Sequence, residues 1–453
     1  MKSINTSISF DKSEIKSISD AFLAMLEKKG LKIDQNPWDE AIKYISGYQN
    51  TNNNYAIQIG ICDNNYCPGT FTLDKISKKS KFLEKPIDFN EWIIGAICDE
   101  IEVIKKKYPD FYNPSIVRET IAKVIKVLEI NFIDNTPLKN HIYYQEYSDI
   151  VRRFILLFLI KNPDQELDVY PHLTRERREF IFEVVEYLEK KNLDVGDWVR
   201  ISISAGLLGI DEKPVHAATS AIDTRMAIVL PSSNSYDKSD IERVARDLLK
   251  GAYSECRIDA VEKMLQVIGT NPNIELQMVS FPDDYLETIV LLKAYEKIMD
   301  QYPNLTIFCV PRSKMCGNDA TYNDILEFLE KMPNLKSNRR FFPIQNGPII
   351  GGVNLIKLDE KILDLIKESD FLDVRGARNY EMMQGIKKEA FFGFMVCREI
   401  SESVVGLSAH DLPFVYVHQS PGEKSFEGFT ERHNRIENGK MMAFKTVKDI
   451  NNS

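Results

Sequence analysis

The chain has 453 residues, 43% of them hydrophobic and 28% charged, a formal net charge of −9 and a pI near 5.5. That length points to two domains or one large domain with an appendage, and the composition excludes a disordered chain. The acidic balance, with no long Lys/Arg block, speaks against nucleic acid or an anionic membrane surface as the main partner, but not against a small phosphorylated ligand in a local basic pocket.

The opening stretch "MKSINTSISFDKSE" lacks the apolar core of a signal peptide. The longest apolar run, "FILLFLI" at 154–160, is far short of the roughly 20 residues a membrane helix needs. Seven scattered cysteines (Cys62, Cys67, Cys98, Cys256, Cys309, Cys316, Cys397) form no CxxC pair, and no second pair or nearby His completes a zinc set around Cys62 and Cys67. The expectation is a cytoplasmic chain with reduced thiols.

Residues 1–80 are mixed and carry no clear assignment. Helical signals dominate 81–215: "WIIGAICDEIEVIKKKY" places Ile94, Ile97, Ile101 and Ile104 on one stripe, and "IVRETIAKVIKVLEINF", "YSDIVRRFILLFLIK" and "RREFIFEVVEYLEKK" repeat the pattern. Over 216–453 short apolar runs alternate with amphipathic helices: "RMAIVLP", "IELQMVSF", "LTIFCVP", "RFFPIQ", "DFLDVRG" and "FFGFMVC". Strands alternating with helices predict an α/β fold, a Rossmann-like, mostly parallel sheet with helices on both faces, preceded by an all-helical N-terminal domain. The boundary is expected within 209–224.

Ligands of open parallel sheets sit outside the carboxyl ends of the strands, so the strand-to-helix turns are the places to search. In "FPDDYLET", Asp284 and Glu287 have the spacing of a capping box, which leaves Asp283 unexplained at the end of a buried strand. Two carboxylates held side by side call for a cation. In "VPRSKMCGNDATYNDILEF", Asp319 reads either as a helix cap or as a second acidic turn. Thirty-five residues separate it from Asp284, one βαβ unit, so adjacent parallel strands would bring both turns to one sheet edge. Carboxylates from two such turns suit a hard divalent ion. A third turn, "DVRGARNYE", offers Arg375, Gly376, Arg378 and Asn379 at a helix start, a seat for phosphate. Taken singly, Arg375 could pair with an acid and Arg378 could be solvated.

These three turns resemble those of the metal-dependent damage-control phosphatases, the family that also contains the acidic-residue methyltransferase-like proteins. Its motifs, Asp-Asn-x-x-Glu, Asn-Asp-Ala-Thr and Lys-Gly-x-x-Asn-Tyr-Glu, stand here as "DDYLE" (283–287), "NDAT" (318–321) and "RGARNYE" (375–381), in order and in register. The stretch "NGPIIGGVNLIKLDEKILDLIKESDF" is similar as well, so the resemblance covers about 270–400. It implies a divalent ion (Mn²⁺, Co²⁺, Ni²⁺ or Mg²⁺) held by Asp283, Asp284 and Asp319. It implies Asp284 or Glu287 as the group orienting the attacking water, and Asn318, Arg375, Gly376, Arg378 and Asn379 around the phosphate of a small metabolite. Four positions depart from the family pattern: Asp284 replaces Asn, Arg375 replaces Lys, Val396 stands where a basic residue is expected, and Gly206-Leu207 stands where Gly-Asn is expected.

The expected activity is phosphomonoester hydrolysis by metal-activated water. The alternatives are a degenerate member that binds a phosphorylated ligand or partner without turnover, and an S-adenosylmethionine-dependent carboxyl methyltransferase. The last would want a glycine-rich turn after its first strand, and "RMAIVLPSSNSYD" has none. No Asp-x-Asp nucleophile motif is present, and "SPGEKS" lacks the frame of a phosphate loop. The six histidines (His141, His172, His216, His410, His418, His433) show no metal-ligand spacing; His410, Asp411 and His418 remain candidates for a pocket mouth.

Overall fold

The computed structural model describes residues 55–63, 131–133, 136–137, 177–208, 228, 230–231, 236–313, 318–348, 352–383, 385–396 and 414–421. The chain forms two compact units, Met1–Asn54 with Phe89–Val169, and Tyr55–Asp88 with Tyr170–Ser453. In the first, Asn131–Ile133 pairs antiparallel with Thr136–Pro137. The helical pattern read through Phe132 therefore gives way to a strand at Asn131, where the turn-forming pair Asp134-Asn135 and then Pro137 follow in sequence. The other helical segments expected between 91 and 161, "FILLFLI" included, lie outside the described residues.

The second unit carries a seven-stranded sheet: β1 (Cys256–Asp259), β2 (Leu276–Phe281), β3 (Leu305–Cys309), β4 (Phe341–Pro343), β5 (Phe371–Arg375), β6 (Glu389–Met395) and β7 (Phe414–Gln419). Their spatial order is β1-β7-β6-β5-β2-β3-β4. Every pairing is parallel except β6 with β7. The chain runs outward from β2 through β3 to β4, then returns to lay β5 on the other side of β2. That reversal makes a switch point between β2 and β5, where an open α/β sheet gapes at its carboxyl edge.

Side chains alternate between two separate cores. Met278, Phe371, Phe391 and Tyr416 face one cluster, which also holds α1 (Arg178–Glu189), α2 (Val195–Ser204), α3 (Lys238–Lys250), α4 (Val261–Gly269), α5 (Tyr285–Gln301) and α6 (Tyr322–Glu330). Val279, Leu372, Phe392 and Val415 face the other, beneath α7 (Glu360–Glu368) and the single turn Tyr55–Gln58. Strands buried on both faces read as continuous apolar runs, which is why β2, β5 and β6 are legible in the sequence. Helix α5 is buried nearly all round, as its weak polar face predicts.

Three expectations are corrected here. Helices α1 and α2, assigned to the helical half, share the core of the sheet unit, so that unit begins well before 209–224. Of "RMAIVLP", Ile228 makes an isolated bridge with Leu208 and no described strand forms. Strands β1 and β7 are not among the predicted runs: β1 is four residues with two charges, joined to α3 by the π-turn Gly251–Glu255, and of β7 only His418 stands out in the sequence.

One polar network is sealed inside the larger core. Asp373, wholly buried on β5, accepts from Tyr295 (2.5 Å), from Tyr416 (2.9 Å), and from Nε and Nη2 of Arg375 (3.1 and 3.0 Å). Ser280, beside Asp373 in register, meets the Tyr295 hydroxyl at 2.5 Å. Burial and the Asp373 charge hold both tyrosines far above the ordinary phenol pKa, so they stay protonated as donors. Gly393 makes room for the guanidinium: a Cβ there would stand 2.9 Å from Arg375 Nη1. Removing one partner of such a pair strands a buried charge, so Asp373→Ala should lower the unfolding free energy by about 3–5 kcal/mol. Urea denaturation measures this as a lower midpoint, and a loss below about 1 kcal/mol would contradict the reading.

Candidate metal and phosphate site

Three turns meet at the switch point. The first follows β2: Pro282, Asp283, Asp284, then α5. Asp284 occupies the N-cap position with extended backbone (φ −58°, ψ 142°), yet its side chain makes no capping bond. The capping-box reading of Asp284 and Glu287 is thereby overturned, and the Asp284 carboxylate turns to other work. The second turn follows β3, which pairs in register with β2 from Leu276↔Leu305 to Ser280↔Cys309. Helix α6 is capped by Thr321, whose hydroxyl and amide form a reciprocal box with Asp324, so Asp319 is not needed as a cap.

Backbone bonds zip the two acidic turns together. The Ala320 amide donates to the Asp283 carbonyl and the Tyr285 amide to the Asn318 carbonyl, both at 2.7 Å, making an antiparallel bridge between Asp284 and Asp319. As a result, one carboxylate oxygen from each of Asp283, Asp284 and Asp319 lies within 4.8 Å of the others. All three residues are half-buried.

The third turn follows β5, whose Val374 is in register with Phe281 of β2. Gly376 adopts φ +89°, and a Cβ there would lie 2.1 Å from Asp283 Oδ2. Only glycine permits both the backbone angle and that approach. Helix α8 (Ala377–Met382) begins at once. Its Asn379, wholly buried, donates from Nδ2 to the Arg375 carbonyl at 2.5 Å.

Sequence reasoning missed one residue here, Arg312. Its side chain, 1% exposed, donates from Nε to Asp319 Oδ2 (2.7 Å) and from Nη2 to Asp283 Oδ1 (3.3 Å) and Asn379 Oδ1 (3.1 Å). The signal was an arginine just past a strand end, the same signal that drew attention to Arg375.

Arg375 lies differently from the expectation of an open phosphate grip. Its guanidinium is turned back to Asp373 and stacks near the Tyr416 ring at 5.3 Å, with the side chain 1% exposed. Its Nη1 finds no partner among the described residues. Arg378, half-buried at the start of α8, is the second arginine near enough to act on the Asp319 charge. Asn318 contributes its carbonyl to the zipped bridge. Glu287 is 5% exposed, and its Oε2 lies 3.5 Å from where a Cβ on Gly206 would stand; its charge also acts on Arg375. Gly206, though it lacks the neighbouring Asn, therefore does reach this corner.

Other candidates fall elsewhere. Cys62 is a core thiol whose pKa burial pushes up to about 11, while Cys67 lies outside the described residues. Cys62, Cys256 and Cys309 are free and buried. His418 bonds to Glu389 (2.5 Å) and Lys263 (2.8 Å), two residue pairs back along β6 from the edge where the turns meet. His410 and Asp411 lie outside the described residues.

The donor set fits a hard cation. Two oxygens bound to one ion at about 2.1–2.4 Å stand at most about 4.2–4.8 Å apart, and the three carboxylate oxygens lie within 4.8 Å of one another. A positive group, the Arg312 guanidinium, already lies against two of them. Burial raises the Asp319 carboxyl above the usual range, and Asp284 adds to the shift, while Arg312 opposes both.

A solved structure of a DUF89-family protein from Pyrococcus horikoshii shares this fold: the TM-score is 0.53 at 16% sequence identity, over 74% of this chain and 99% of that one. No family model and no curated protein sequence matches the chain. No helix among the described residues is long and apolar enough to cross a membrane.

Two outcomes are expected at this site. Gly376→Ala should displace Asp283 and weaken Mn²⁺ binding at least about tenfold in calorimetric titration, since a misplaced carboxylate is a lost ligand. Asp319, with its raised pKa, takes up a proton at higher pH than an ordinary aspartate. Mn²⁺ affinity should therefore decline on acidification before pH about 4 is reached, and titrations showing constant affinity down to that pH would contradict it. In the metal-free protein the sign is the other way. The folded state holds that proton more tightly than the unfolded chain, so the stability it contributes at low pH is lost as pH rises through the raised value.

Proposed function

We propose that this protein is a metal-dependent phosphatase acting on a small phosphorylated metabolite. The observation that carries the proposal is the convergence of Asp283, Asp284 and Asp319 beside the glycine turn of β5. The motif resemblance and the fold neighbour support the same reading, because DUF89 is the designation of the damage-control phosphatase family.

A divalent ion bound at the three carboxylates would supply positive charge to a phosphate oxygen and lower the pKa of a bound water. The chain's own residues do the rest. Asp283, Asp284 and Asp319 bind the ion as oxygen ligands. Arg378 and the backbone amide of Ala377 hold the remaining phosphate oxygens at the mouth of the third turn, while the Gly376 amide stays bonded to the Gly393 carbonyl. Arg375 lies deeper; its fork is committed to Asp373, and its Nη1 offers one further donor to an oxygen that reaches it. With Asp284 drawn into the ligand set, Glu287 is the carboxylate left to orient the attacking water and accept its proton. Asn379 braces the third turn through its bond to the Arg375 carbonyl, and the Asn318 carbonyl fastens the second turn to the first, which leaves the Asn318 side chain for the substrate.

The test is turnover of an aryl phosphate with Mn²⁺, Co²⁺, Ni²⁺ or Mg²⁺. Chelation should abolish it, and Asp319→Asn should lower kcat/KM by at least about a hundredfold, the loss of roughly 2.7 kcal/mol of transition-state stabilisation. Turnover indifferent to both would remove the proposal. Binding of Mn²⁺ and phosphate without turnover would instead identify a binding protein.

A further inference from the structure

The chain between β4 and α7 touches both halves of the site. It leaves β4 with the Ile344 amide bonded to the Cys309 carbonyl at 2.7 Å. Asn346 turns it through a positive φ of 69°, and Gly347 then presses onto the second turn, where a Cβ would stand 1.8 Å from the Pro311 carbonyl oxygen. The Pro348 carbonyl accepts from the Ser313 amide at 3.1 Å. Between Pro311 and Ser313 stands Arg312, whose guanidinium lies against Asp283 and Asp319.

A few residues on, the same connection lies against the third turn. Gly352 adopts φ +96°, and a Cβ there would stand 2.7 Å from Met382 Cγ and 3.5 Å from the Arg378 carbonyl oxygen, both in α8. Glycine is needed at both contacts: position 347 has no room for a side chain, and position 352 has neither the room nor the backbone angle. Past Gly352 the chain is fixed, with Val353 and Leu355 in the smaller core and the Asn354 side chain accepting from the Ile356 amide at 3.2 Å. Residues 349–351, which join the two contacts, lie outside the described residues.

The sheet leaves a gap that this connection spans. The second turn follows β3 and the third follows β5, and β2 stands between those strands, so no ladder bond sets the distance between the two turns. Two strand spacings amount to about 10 Å. The four peptide steps from Pro348 to Gly352 reach at most about 14 Å, enough to bridge that distance with little slack. We propose that the connection 344–354 is a brace with Gly352 as its positioning residue: seated on the second turn at Gly347 and on α8 at Gly352, it sets how far Arg378 and the Ala377 amide stand from the ion. The inference rests on the metal and phosphate reading above and deepens it.

The experiment is calorimetric titration with Mn²⁺, followed by titration of the Mn²⁺-loaded protein with inorganic phosphate, for the wild type, Gly352→Ala and Met382→Leu. Thermal melts establish that each variant is folded. Gly352→Ala should bind Mn²⁺ within about twofold of the wild type, because its new contacts are with α8 and not with the acids. It should bind phosphate at least about tenfold more weakly, the equivalent of one lost charge-assisted hydrogen bond. Met382→Leu, which keeps the volume but branches at the carbon facing Gly352, should weaken phosphate several-fold in the same sense. A role in stability alone would lower the melting temperature and leave phosphate affinity unchanged. That result in a folded Gly352→Ala overturns the proposal, as does an equal loss of Mn²⁺ and phosphate affinity. Should Gly352→Ala fail to fold, Met382→Leu decides by the same measure. A wild type that fails to bind Mn²⁺ or phosphate removes the proposed function and this inference together, whereas a binding wild type with unaltered variants removes the brace alone.

Discussion

Like charges do not gather in a protein interior unless something positive or something rigid holds them, and here both are present. Asp283, Asp284 and Asp319 approach within 4.8 Å because two backbone hydrogen bonds fasten their turns and one guanidinium lies against two of the three. Everything chemical about the site follows from that concentration of negative charge. Without the zipped bridge the acids would separate into solvent. Without Arg312 two of the three acids would lose the positive charge bonded to them.

The sheet supplies the rigidity. Strands β2 and β3 run parallel and in register, so their acidic turns emerge side by side, and the return of the chain to β5 brings the glycine turn against them. Gly376 is the point of closest contact, with its missing side chain leaving the space that the Asp283 carboxylate fills. One layer below, Asp373, Arg375, Tyr295, Tyr416 and Ser280 form a buried polar network that joins β2, β5, β7 and α5. A buried network of this sort, bonded from four elements, helps to fix the relative register of the strands that carry the site. It also explains why Arg375 sits where it does: the strand alternation that places Phe371 and Asp373 in the larger core places Arg375 there too.

Much of this was legible beforehand for physical reasons. Strands buried on both faces leave mostly apolar runs, so β2, β5 and β6 announce themselves, as does the alternately buried β3, and the turns after them are found by looking at their ends. The acid pair at 283–284 was conspicuous because a cap needs one carboxylate and the chain has two. Less was visible where elements are short or their partners distant. Strand β1 has four residues and two charges, and β7 reverses direction, which no local pattern encodes. The unit boundary was misplaced because a helix packed on a sheet and a helix packed on other helices carry the same amphipathic stripe.

The sequence by itself determined which residue types stand at the strand ends, which positions alternate into each core, and that a glycine must follow Arg375. Those are local properties, set by side-chain chemistry and the two-residue period of a strand. Only the tertiary structure decided that Arg375 spends its fork on Asp373, that Thr321 rather than Asp319 caps α6, and that Arg312 joins the acids. Each of these depends on which strands lie next to which, and that order is chosen by the packing of the whole core, not by any stretch of the chain.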